Sequence, residues 1–72
     1  MAQLTTGQYD LLERAVSVGQ RIAVCRRGTE YVVVPLRLRT QDGRELIEAR
    51  NPTTGDEMIL YIDELDELEV VQ

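Results

Sequence analysis

One stretch limits the folds open to this chain more than any other. From Glu30 to Arg39 the residues alternate at the two-residue period of a β-strand, and Pro35 stands in the middle. Proline donates no backbone hydrogen bond, so within a sheet it is confined to an edge, a bulge or a sharp bend. The alternation puts Val32, Val34, Leu36 and Leu38 on one face and Tyr31 and Val33 on the other, with Arg37 and Arg39 pointing outward beyond the proline. The chain is therefore expected to contain a long second strand that bends.

The flanking segments supply the rest of a small β-domain. Thr5 with Gln8 three residues later has the form of a capping box, and Leu11, Leu12, Ala15, Val16 and Val18 follow at helical spacing. Asp10 and Glu13 suit the positive start of a helix dipole, and Gly19 suits its left-handed end. This predicts a helix over about residues 6–18. A loosely alternating strand follows over 21–26, with a turn at Arg27-Gly28-Thr29. Asp42-Gly43 is a hairpin signal, because both residues tolerate the positive φ of a type I′ turn. Strands are expected over 44–50, 57–62 and 67–71, with a turn at 51–55 and a single helical turn at 63–66. The fold class expected is mainly β: a five-stranded SH3-like (Sm-like) small barrel with an N-terminal α-helix over one open end or side. Residues 1–72 form one domain, and the barrel occupies about 20–71.

Several chemistries are excluded by what is missing. The chain has no His and a single cysteine, Cys25. A Cys/His zinc site, a Ser–His–Asp triad and a Cys–His nucleophile all lack a necessary group, and no intrachain disulfide can form. Cys25 beside Arg26 and Arg27 has the local charge of a reactive thiol, but a lone strand cysteine is more commonly a small packed side chain. Asp63 and Glu64 are the nearest thing to an acid–base pair, and no neighbour in sequence orients or desolvates them. The carboxylates at 63–69 lack the alternating ligands and turn glycine of a calcium loop. No catalytic residues, metal or cofactor are therefore expected, and the chain is read as a non-enzyme. At 72 residues it folds with little core to spare, because a domain this size buries only about 60–65% of its unfolded surface. The longest uncharged apolar run, Tyr31–Leu36, is too short to cross a bilayer, and Met1–Thr6 lacks the features of a signal peptide. A cytoplasmic protein without a membrane partner is expected.

The charge is unevenly placed. Residues 56–72 carry seven acids and no base, whereas residues 1–55 carry all eight basic residues, every one an arginine. Uniform arginine reflects either a GC-rich genome or a demand for planar, bidentate contacts. Two candidate surfaces follow. Asp63, Glu64, Asp66 and Glu67 form an acidic surface for docking a basic protein partner, with Leu65 and Leu68 turned into the core. Arg37, Arg39, Arg44 and Arg50 flank the Asp42-Gly43 hairpin and are the candidates for nucleic-acid contact. Glu45 and Glu48 are available to pair with them across strands.

Three segments together resemble a known domain: Tyr31-Val32-Val33-Val34-Pro35-Leu36-Arg37-Leu38, then Gly43-Arg44-Glu45-Leu46-Ile47-Glu48-Ala49, then Tyr61-Ile62-Asp63-Glu64-Leu65. They look like a minimal WYL domain, a small Sm-like barrel attached to bacterial transcription regulators and defence proteins. The resemblance covers about residues 20–71 and implies the barrel fold and a sensing or regulatory role. The chain departs from that family in two places. Glu45-Leu46-Ile47 stands where the family has Trp-Tyr-Leu, and Glu64 stands where it has an arginine. Those are ligand-contacting positions in the family. Tyr9-Asp10-x-Leu12-Glu13-x-Ala15 and Ile62-Asp63-x-Leu65 are also similar to Rof, a small acidic inhibitor of the terminator Rho. The expectation for function is a non-catalytic regulatory or protein-interaction module linked to bacterial transcription, its partner an unidentified protein. The alternatives are an Sm-like nucleic-acid binder using the arginines and a structural homo-oligomer subunit.

Overall fold

The computed structural model describes residues 4–71. Residues 1–3 and 72 lie outside that range, and with them part of the N-terminal stretch read above as no signal peptide. The helix α1 (Thr6–Val18) leads into β1 (Ile22–Arg26), β2 (Thr29–Gln41), β3 (Arg44–Arg50) and β4 (Glu57–Tyr61). A 3-10 turn at Ile62–Glu64 then leads to β5 (Glu67–Val70). All strand pairs are antiparallel, and the sheet order is β4-β3-β2-β1-β5.

The start of α1 is set by local chemistry. The Gln8 amide donates to Thr5 Oγ1 at 3.1 Å and the Thr5 amide donates to Gln8 Oε1 at 3.0 Å, which satisfies two amides a helix start leaves unpaired. The helix stops at Gly19, whose φ of 73° lets its amide turn back to the Ala15 carbonyl. The buried stripe is narrower than the spacing suggested: Leu12 and Ala15 are fully buried, while Leu11 and Val18 are 52% and 67% exposed. One helix lying on a curved sheet covers an arc only about two residues wide per turn.

The bend in β2 falls where the proline marks it. Thr29–Val33 pairs with β1 and Val34–Gln41 pairs with β3, with a register shift between Pro35 and Arg37. Leu36 is the extra residue of a bulge. One extra residue reverses the parity of a strand. Before the bulge the inward positions are Val33 and Pro35, and after it Leu38 faces the core. The expected single face of Val32, Val34, Leu36 and Leu38 is thus corrected: Val32 is 40% exposed on the outer side. Arg37 and Arg39 stay outward, as expected.

The core is assembled from every element. Leu12 and Ala15 of α1 meet Ile22 and Val24 of β1, Val33 of β2, Ile47 and Ala49 of β3, Leu60 of β4 and Leu68 of β5. Ile62 and Leu65, in and after the 3-10 turn, complete it. The expected barrel is not closed, because β4 and β5 do not pair and form the two edges of the sheet. After Tyr61 the 3-10 turn carries the chain away from β4, and the Asp66 amide is taken up by the Cys25 carbonyl at 2.7 Å. The seam holds the buried side chains of Ile62 and Leu65 instead of a ladder.

Both tight hairpins use positive φ at two successive residues, Arg27 (53°) with Gly28 (78°) and Asp42 (53°) with Gly43 (76°). Aspartate accepts this geometry, but an ordinary side chain such as arginine is strained there by about 1–2 kcal/mol. Arg27→Asn should therefore stabilise the fold by about 1 kcal/mol, raising the melting temperature by about 4–8 °C for a domain of this size. An unchanged or lower melting temperature would show that the Arg27 backbone is not strained.

Candidate functional site

Register decides which charged side chains share a surface, because directly opposed residues of antiparallel strands point to the same side. On the outer side of the β2–β3–β4 half, Val34 opposes Arg50, Arg37 opposes Glu48, Arg39 opposes Leu46 and Gln41 opposes Arg44. Tyr61 opposes Leu46, Ile59 opposes Glu48 and Glu57 opposes Arg50. All four candidate arginines therefore lie on one face. Three of them are already engaged. Glu48 accepts Arg37 at 3.0 Å and Arg39 at 2.6 Å. Arg50 has no ion pair among the described residues. Glu45, the other expected partner, opposes Thr40 and lies on the opposite parity.

Arg44 forms the densest side-chain contact among the described residues. Its Nε donates to Asp63 Oδ2 at 2.9 Å and its Nη2 to Asp63 Oδ1 at 2.7 Å, a two-pronged pairing that fits a planar guanidinium to a carboxylate. Nη2 also reaches Glu64 Oε2 at 3.1 Å. The guanidinium lies 3.9 Å from the centroid of the Tyr61 ring, within cation–π range. Leu46, directly opposite Tyr61, is fully buried although it lies on the side of the sheet away from the core. The face is thus roofed by arginine stems and the tyrosine ring, since long charged side chains cover apolar surface along their methylenes. Hydrogen bonds from Arg44 hold the Asp63 carboxyl below its ordinary value, and the two carboxylates keep the guanidinium more firmly protonated.

This contact draws one residue from the arginine set and two from the acidic set. Asp63 and Glu64 are consequently not free docking carboxylates. Glu45-Leu46-Ile47 and Glu64 are the places where the chain departs from the WYL pattern, and of these Leu46 and Glu64 lie on this side of the sheet. Here Glu64 pairs with Arg44, and Leu46 is buried opposite the Tyr61 ring over which Arg44 lies.

The remaining acids lie elsewhere. On the outer side of the β5–β1–β2 half, Cys25 is opposed by Glu67 on one flank and Glu30 on the other, and Ala23 is opposed by Glu69 and Val32. Glu30, Glu67 and Glu69 are exposed, as is Asp66 just before β5, and none of the four has an ion pair among the described residues. Cys25, half-buried between two glutamates, lacks the positive surroundings of an activated thiol. Arg26 lies over the Tyr31 ring, 5.4 Å from its centroid. The outer side of one half thus mixes arginines with carboxylate partners, whereas that of the other carries exposed carboxylates without ion pairs among the described residues. Sequence reasoning found Asp66 and Glu67 but missed Glu69, Glu30 and Tyr61. The Glu67-Leu68-Glu69 alternation points to Glu69, whereas Glu30 and Tyr61 join their groups only through the register.

The chain matches no protein-family model and no curated protein. Among solved structures it is similar to part of proteasome accessory factor B/C (PafBC) of Arthrobacter aurescens, with a TM-score of 0.74 at 20% sequence identity. The likeness covers 97% of this chain and 12% of that protein. At this identity the likeness is one of fold alone. Among the described residues no helix is long and apolar enough to cross a membrane.

The Arg44 contact has a pH signature. The Asp63 carboxyl titrates below its ordinary value in the folded state, so the stabilisation is complete above about pH 4. It is lost as the pH falls through the folded value. Arg44→Gln should return the Asp63 titration to the ordinary aspartate range, as read from the side-chain carboxyl carbon by NMR. A titration unmoved by that substitution would mean that Arg44 does not hold Asp63 in solution.

Proposed function

We propose that the chain is a non-catalytic protein-interaction module of a regulatory system, and that it docks a basic partner through the outer face carrying Glu30, Glu67 and Glu69, with exposed Asp66 just before β5. One observation carries this reading. Three of the four candidate arginines are paired within the chain by Glu48, Asp63 and Glu64, whereas none of these four acids has an ion pair among the described residues. Uncompensated charge of one sign steers an oppositely charged partner and suppresses wrong ones. The fold likeness to part of proteasome accessory factor B/C is compatible with a regulatory role, and the resemblance of the chain's segments to WYL domains extends the proposal to bacterial transcription. The likeness of the first helix and the Ile62-Asp63-x-Leu65 segment to Rof fits the same idea of an acidic protein acting on a basic target.

A second reading has its own support. Arg37, Arg39, Arg44 and Arg50 do share one face, and Tyr61 lies among them. A nucleic-acid ligand there would have to displace Glu48, Asp63 and Glu64 from the guanidinium groups.

Charge reversal separates the two. Asp66→Lys with Glu67→Lys and Glu69→Lys should abolish capture of the partner from bacterial lysate while the circular dichroism spectrum is kept. Arg37→Ala with Arg39→Ala should leave capture unchanged. Capture unaffected by the acidic substitutions would overturn the docking proposal. Salt-sensitive binding of single-stranded RNA, weakened by the arginine substitutions, would favour the second reading.

A further inference from the structure

The edge of β5 offers more than charge. The Val71 amide donates to the Arg21 carbonyl at 2.9 Å, and Val70, Glu69, Leu68 and Glu67 oppose Ile22, Ala23, Val24 and Cys25 in turn. Bonded and non-bonded pairs alternate along an antiparallel ladder. With Val71 bonded to β1, Glu69 and Glu67 also direct their backbone groups toward β1. The backbone N–H and C=O of Leu68 and Val70 therefore point the other way, to the open edge of the sheet. A groove between α1 and β5 lies at this edge, lined by Gln8, Leu11, Leu68, Glu69 and Val70. Leu11 is 52% exposed there, and Val71 beyond it is 39% exposed.

An open edge takes an added strand, and the side chains around it determine which one. Alternate residues of a strand laid beside β5 would enter the apolar groove next to Leu11, Leu68 and Val70. The others would emerge on the outer face beside Glu67 and Glu69. A matching strand alternates apolar with basic residues. A second copy of this chain offers no such strand at its own open edge. β4 comes from the same base-free segment and carries Glu57, with Asp56 before it and Asp63 after it. Pairing β4 with β5 across two copies would set carboxylate against carboxylate, a common device against edge-to-edge aggregation. We infer that the free edge of β5 binds an extended peptide segment of a partner protein, alternating basic and apolar residues, as a sixth strand of the sheet. The inference rests on the docking role proposed above and specifies its mode.

The test uses the full chain, isotopically labelled, and three fluorescent peptides. One alternates Lys and Val, the second has the same charges but prolines in place of alternate valines, and the third alternates Glu and Val. The Lys–Val peptide should bind and slow amide exchange at Leu68 and Val70. The proline peptide should bind about tenfold or more weakly, because it cannot form the ladder. The Glu–Val peptide should not bind. Equal binding of both basic peptides without protection at Leu68 and Val70 would overturn strand addition while leaving charge docking intact. No binding of either basic peptide would overturn both. Protection confined to β4, or a dimer in light scattering whose β4 and β5 amides are protected without peptide, would also overturn the inference.

Discussion

One extra residue in β2 organises the molecule. Because Leu36 has no partner in β3, the strand changes parity partway along and serves two differently oriented halves of the sheet. Its first half buries Val33, and its second directs Leu38 to the core and Arg37 and Arg39 to the outside. Without the bulge, keeping Val33 inside would turn Arg37 and Arg39 inward. Burying two guanidinium groups would cost far more than such a small core can offset. Pro35 stabilises this arrangement from within. It is itself buried, and it makes no demand for a ladder hydrogen bond where the register breaks.

The bend also determines where charge can accumulate. β3 and β4 follow the second half of β2 and bring the arginines together, while β1 and β5 follow the first half and bring the acids together. On the arginine side Arg37, Arg39 and Arg44 are answered locally, by Glu48 across one ladder and by Asp63 and Glu64 from the 3-10 turn. These pairs are partly exposed and individually weak in salt. Their value is in covering Leu46 and in holding the turn that seals the seam between β4 and β5. The acidic side has no such answer, so that face is the one left for a partner.

Much of the fold was legible because it is written locally. The helix boundaries follow from Thr5, Gln8 and Gly19, the hairpin from Asp42-Gly43, and β3 from its alternation between two turns. The bend was legible from Pro35, but the side of the strand that meets the core was not. The parity change depends on whether one residue is skipped, and nothing local to Val34-Pro35-Leu36 specifies that. The open seam was hidden for a related reason, since a 3-10 turn before the last strand is equally consistent with closure. The four arginines were grouped only as flanking one hairpin; the register puts them on one face, and their partners were not legible. Asp63 stands nineteen positions from Arg44 in the chain, and charge counting alone set the two against each other as rival surfaces when they form one contact.

The two outer faces differ in availability: Arg37, Arg39 and Arg44 are paired from within the chain, and Glu30, Asp66, Glu67 and Glu69 are not. Backbone amide chemical shifts of the full chain, followed by NMR during separate titrations with polylysine and with a single-stranded RNA oligonucleotide, test it directly. Polylysine should move the resonances of Glu30, Asp66, Glu67 and Glu69, and RNA should leave those of Arg37, Arg39 and Arg44 in place at moderate salt. RNA-induced shifts across the β2–β3 face, with no response of the β5 face to polylysine, would contradict it.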